Sequence, residues 1–223
     1  MRFLGALLVF AACHSGGGVS PGVDASPDGP PVDTDAPPSA LGLWLTWRAD
    51  PALPGNVTDK ITVTDATFQM DRLQVIGDAG SGDARTTHSK YLLAWNAQGK
   101  PVQERFPDAP VGVYSKILAV MMPGSLGENA YEIHGTWMNS GSQPMPFEIR
   151  DRVLVSLSID CDEDLPAAGS AMLGIKVDLK DALNSVKWED IVPDNGVLEL
   201  EGPQLMMFRD RLKKAFKLDD NDD

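Results

Sequence analysis

A chain of 223 residues, 43% of them hydrophobic, has length for one domain of ordinary size or two small ones and enough apolar side chains to bury a core. Lys and Arg number 19 against 32 Asp and Glu, a formal net charge of -13, so the surface repels nucleic-acid phosphates and anionic lipid headgroups. Nucleic-acid binding and electrostatic docking on a membrane are therefore not expected.

The first thirteen residues carry the clearest message. Arg2 precedes an apolar run from Phe3 to Phe10, followed by Ala11, Ala12 and Cys13. One positive charge, a short apolar stretch and small residues before a cut make a secretory signal peptide over residues 1–12. The run falls short of the about 20 residues that span a bilayer. A cysteine placed directly after Ala11-Ala12 resembles a bacterial lipobox, with Phe10 at the position usually held by Leu. That resemblance implies cleavage before Cys13, lipidation of its thiol with palmitate-type chains, and anchoring in a membrane through several acyl chains. His14 follows the cysteine, where aspartate would resemble an inner-membrane retention signal, so the outer membrane is the expected location.

Residues 13–40 consist of Pro, Gly, Asp and Ser with little to bury, a composition that does not offset the entropy cost of ordering. They are expected to form a disordered tether with a reach on the order of 80 Å, at about 3.1 Å per residue in extended polyproline form. The folded domain is expected over residues 41–218, with a frayed acidic tail at 219–223.

From Leu41 onward the chain reads as strands. Leu41, Leu43 and Leu45 alternate, with Trp44 and Trp47 offset. Ile61–Thr64 and Thr67–Ile76 are β-branched and apolar at period two, followed by a Gly/Asp/Ser loop over 77–83. Lys90–Trp95, Val111–Met122, Tyr131–Met138, Pro146–Arg150, Arg152–Asp160, Ala171–Leu179 and Val197–Leu200 continue the series. In Arg152–Asp160, Val153, Val155, Leu157 and Ile159 are expected to share one face. Many short strands separated by turn residues predict a mainly β fold, an antiparallel β-sandwich. Two helices interrupt the pattern: a short one within Asp178–Ile191, and an amphipathic one over Gln204–Leu218. The latter has Leu205, Phe208, Leu212, Ala215 and Phe216 on the buried side, and Arg209, Asp210, Lys213 and Lys214 opposite. Pro203 suits its start.

Chemistry-bearing residues are few. His14, His88 and His134 show none of the zinc spacings, and His134 is read as a half-buried strand residue. Asp160, Asp162 and Asp164 begin like a calcium loop, but Leu165 stands where glycine should turn the chain and Ala171 where a glutamate should close it. They remain candidates for a calcium site at a sandwich edge, with Asp78 or Asp83 as further ligands. Met121-Met122 and Met206-Met207 raise a copper reading, since thioethers suit Cu(I), but core filling explains them better. Cys161, left alone if Cys13 is lipidated, is read as a buried small hydrophobe whose acidic neighbours raise its pKa. An intermolecular disulfide or a reactive thiol is the alternative. Serine-hydrolase, β-lactamase and phosphate-loop motifs are missing from the sequence, so no catalytic residue and no cofactor is expected. The five tryptophans, at 44, 47, 95, 137 and 188, are able to stack on sugar rings if exposed, but their apolar neighbours favour burial.

The order Pro110-Val111-Gly112-Val113-Tyr114, Tyr131 to Gly135, Pro146 to Ile149 and Gly174 to Leu179 resembles a family of bacterial lipoproteins of unestablished activity. The resemblance covers about residues 41–200. It implies an immunoglobulin- or transthyretin-like sandwich and a lipid-anchored location, and it transfers no site residues. The expected function is a non-enzymatic binding or structural module of the cell envelope, anchored at Cys13, with an envelope protein or glycan as partner. A calcium- or copper-binding module and a hydrolase with a site assembled from distant loops are the alternatives.

Overall fold

A computed structural model describes residues 41–77, 84–88, 91–101, 103–125 and 128–219. The leader, Cys13, the tether, most of the 77–83 loop and the last four tail residues lie outside them. The described residues form a mainly β protein with thirteen strands in two sheets and two α-helices.

Strand β1, Gly42–Ala49, buries Leu43, Leu45 and Ala49 at period two, as the alternation requires. After β2, Gly55–Asn56, comes β3, Ile61–Gly77, a single strand of 17 residues. The sequence suggests two strands here. The chain stays extended through Asp65 and Ala66 because β8, Tyr131–Met138, pairs across the whole of Ile61–Phe68, absorbing a bulge between Val63 and Asp65. Strands β4, Ala84–His88, and β5, Tyr91–Trp95, lie along the other edge of β3, whereas β7, Gly112–Met121, takes over from β8 along its second half. Arg72, with φ +55°, marks the irregularity where β3 bends against β7. Strands β9, Pro144–Asp151, β10, Val155–Leu165, and β12, Leu198–Glu199, complete this sheet, in the order β10-β7-β3-β8-β9-β12.

The second sheet has the order β13-β11-β1-β6, from β6, Glu104–Phe106, β11, Ser170–Val177, and β13, Phe216–Leu218. Most pairings are antiparallel, but β1 runs parallel to β11 and β9 parallel to β12. The two sheets enclose one hydrophobic core, and Phe68 of β3 meets Phe216 of β13 edge to face across it, 5.4 Å apart at 85°.

The helices are shorter than the periodicity suggests. Helix α1 covers Lys180–Asn184 and is followed by a 3-10 turn, Trp188–Asp190, whose Trp188 packs on Trp137 and Phe147. Helix α2 covers Gly202–Leu212, with Pro203 in its first turn and Phe208 and Leu212 buried. Its helical spacing continues through Phe216, yet residues 216–218 are strand. The chain tightens into i to i-3 bonds at Lys214 and Ala215, and Phe216, Lys217 and Leu218 then pair with Val177, Lys176 and Ile175. A sheet partner outweighs local propensity there. Arg209 corrects the expected polar face as well. It lies four residues after Leu205, hence on the same side of the helix, and it faces the sheet.

Two further corrections concern faces. Val153 is 49% exposed, because β10 begins only at Val155; from there Val155, Leu157 and Ile159 are buried as expected. Met206 and Met207 are 60% and 52% exposed on the outer side of α2, whereas Met121 is buried in the core.

Gly135 in the middle of β8 shows how tightly the sheet is covered. A Cβ there would run into the Thr62 carbonyl oxygen and come within 2.6 Å of Phe147 Cζ. Gly135→Ala is expected to destabilise the fold by about 3 kcal/mol or more, since backbone on one side and a core ring on the other leave no room to yield. A urea unfolding midpoint indistinguishable from wild type would contradict this packing.

Candidate functional site

Asp160, Asp162 and Asp164 lie in a strand, not in a loop. β10 continues to Leu165 because Glu163, Asp164 and Leu165 pair with Tyr114, Val113 and Gly112 of β7 beyond a bulge. The three aspartates are exposed on the outward face. Alternate residues of a strand stand about 6.6 Å apart, so these carboxylates do not converge on one ion whose oxygen ligands must lie at about 2.3–2.6 Å. Asp160 instead meets Lys116 of β7 at 3.4 Å. Among the described residues, no group of three or more His, Cys, Asp or Glu side chains stands close enough to hold a metal ion.

Cys161, on the inward side of β10, is partly buried, and its thiol lies 3.4 Å from the Tyr114 carbonyl oxygen. Burial first, then the charges of Glu163, Asp160 and Asp162, push the thiol up to about 11, which makes it a poor nucleophile near neutral pH. His134 of β8 stands between two carboxylates, with Nε2 3.6 Å from Glu132 and 3.4 Å from Glu148, and Glu148 also pairs with Arg150. Glu148 and Arg150 reach the edge of a shallow cleft of about 370 Å³ that Glu199, Glu201 and Leu205 also line.

The one buried charged side chain among the described residues, Asp151, is a centre that sequence reasoning missed. Its Oδ2 accepts hydrogen bonds from the Tyr131 hydroxyl at 2.8 Å and from Arg209 Nε at 2.5 Å, and its Oδ1 accepts one from the Val153 backbone at 2.9 Å. Burial and the Asp151 charge raise the Tyr131 hydroxyl far above its ordinary value, and the hydrogen bond to Asp151 raises Arg209 as well. Tyr131 is 1% exposed, so the trio fastens α2 to the end of β9 and offers no surface to a substrate. The i to i+4 spacing of Leu205 and Arg209 was the available signal.

A cleft of about 440 Å³ opens at one end of the sandwich, where β1 and β5 leave their sheets. Trp47 points inward from β1, on the side of Leu45 and Ala49, and stacks on Tyr91 of β5 at 6.0 Å and 24°. Trp95 closes the floor at 2% exposure, edge-on to Phe68. Burial, then the charge of Glu104, pushes Tyr91 up to about 12, opposed by the nearby Trp47 indole. Exposed Arg48, Asp50 and Lys100 form the rim. Arg48 is held by Asp219 through two contacts of 2.7 Å, which raise Arg48 and lower Asp219. Of the five tryptophans, 95, 137 and 188 are buried, as their neighbours suggested, while 44 and 47 are only half-buried.

No protein-family model matches the chain, no curated protein matches it, and no solved structure matches it.

Asp151→Ala leaves Arg209 and Tyr131 without their shared acceptor and is expected to cost about 3 kcal/mol; with Arg209→Ala added, the loss should fall short of the sum of the two single losses, as urea melts of the double-mutant cycle will report. The Arg48–Asp219 pair, with Arg48 44% exposed, is worth at most about 1 kcal/mol. Because Asp219 is lowered in the folded state, that contribution is present above the ordinary carboxylate range near pH 4 and is lost as pH falls through the depressed value. The stability difference between wild type and Asp219→Asn should thus be flat above about pH 5 and shrink in acid; a difference that grows in acid would refute the assignment.

Proposed function

We propose that this chain is a lipid-anchored protein of the bacterial cell envelope, most simply at the outer membrane, whose β-sandwich acts as a binding or structural module and not as an enzyme. The observation that carries the reading is the run from Met1 to Cys13, one basic residue, an apolar stretch and Ala-Ala-Cys, followed by a segment rich in Pro, Gly and Asp. In this reading Cys13 bears the acyl chains and residues 14–40 form the spacer. The first strand among the described residues begins at Gly42, directly after that segment. The open cleft at the Trp47 end gives such a module a place for a ligand. No helix among the described residues is long and apolar enough to cross a membrane.

The test is metabolic labelling with a palmitate analogue in a bacterial host. Wild type is expected to incorporate the label and to sediment with membranes, and Cys13→Ser to lose both. Equal labelling of the two, or a wild-type protein that is secreted unlabelled, would overturn the anchor.

A further inference from the structure

We propose that the cleft between Trp47 and Lys100 binds a short, neutral saccharide. Its volume of about 440 Å³ lies within the roughly 300–1,000 Å³ of small-molecule sites. The floor is aromatic and already in place: Trp47 is half-buried and held in plane by its stack on Tyr91, so an occupant spends little on ordering it. An indole face accepts the C–H face of a pyranose ring, which is apolar and flat.

The rim supplies the opposite chemistry. Arg48 and Lys100 donate hydrogen bonds, Asp50 accepts them, and neighbouring hydroxyls on a sugar need both kinds at close spacing. The bidentate contact with Asp219 fixes the Arg48 guanidinium while leaving its side chain 44% exposed. The rim carries charges of both signs, Arg48 and Lys100 beside Asp50, and Arg48 is already paired with Asp219. A polyhydroxylated neutral molecule finds an indole and polar partners of both kinds side by side.

This assignment deepens the binding reading above by naming a glycan as the envelope component, and it rests on that reading only for where the glycan is met. The experiment uses the full chain in a detergent without a sugar headgroup, titrated with chitotriose, cellotriose, maltotriose and mannotriose. Tryptophan fluorescence and calorimetry supply the readouts. At least one trisaccharide is expected to give a saturable change with a Kd of about 1 mM or tighter. Asp50→Ala and Lys100→Ala, both at exposed positions, should each weaken it about tenfold or more without moving the Tm. Trp47→Leu should abolish the fluorescence response. Silence with all four sugars, or affinity unchanged in both rim variants, would overturn the proposal. Palmitate labelling at Cys13 is read separately, so the anchor and the cleft can fail independently.

Discussion

Seventeen residues of extended chain, Ile61–Gly77, hold the larger sheet together. Strand β3 hydrogen-bonds to β2, β5 and β4 along one edge and to β8 and then β7 along the other. A strand so long has to bend to stay within a twisted sheet, and the irregularities at Val63–Asp65 and Asp71–Gln74 are where it does so. Between β8 and β7, Gln69 serves both neighbours: its N–H donates to the Ala130 carbonyl and its own carbonyl accepts from Met122. The side chains on its inner face, Val63, Ala66, Phe68, Met70, Leu73 and Val75, are all buried, so every other strand of the sheet packs with reference to β3.

From that spine an aromatic series runs through the core. Trp95 touches Phe68, Phe68 touches Tyr131 and Phe216, and Tyr131 touches Phe208 of α2. Burial of rings of this size contributes several kcal/mol each, and truncation of a fully buried phenylalanine typically costs about 3–5 kcal/mol. Position along the helix is set by a different force. Apolar contacts are non-directional, whereas the Asp151 carboxylate accepts from Tyr131, Arg209 and Val153 in one geometry, and thereby selects the register in which α2 lies on the sheet.

Strand positions were legible in the sequence wherever one face is buried and the other wet. Tyr131–Met138 alternates over its whole length and is found at those bounds. Legibility failed where a non-local partner overrode a local signal. Residues 216–218 carry helical spacing but become strand because Val177 and its neighbours offer a free edge, and Asp162 to Leu165 carry the composition of a turn but are drawn into β10 by β7. Short strands such as Glu104–Phe106 have too few residues to show a period at all. The site residues divide in the same way. Trp47 and Trp95 were visible as tryptophans, but that both line one cleft depends on where β1 and β5 end in the fold. The parallel pairing of β1 with β11 could not be read from local pattern, because it joins residues more than 120 positions apart.

Strand β10 lies at the end of the sheet order, with β7 as its one hydrogen-bonded sheet neighbour among the described strands, while β11 and β13 of the second sheet lie near it. Its outward residues over the second half are Asp160, Asp162 and Asp164. A second copy laid against that edge would bring like charges together, and repulsion of this kind is how natural sheets keep an open side from seeding aggregates. The three carboxylates, too far apart to chelate an ion, would then serve colloidal stability. That protection is electrostatic, and it weakens as salt screens the charges.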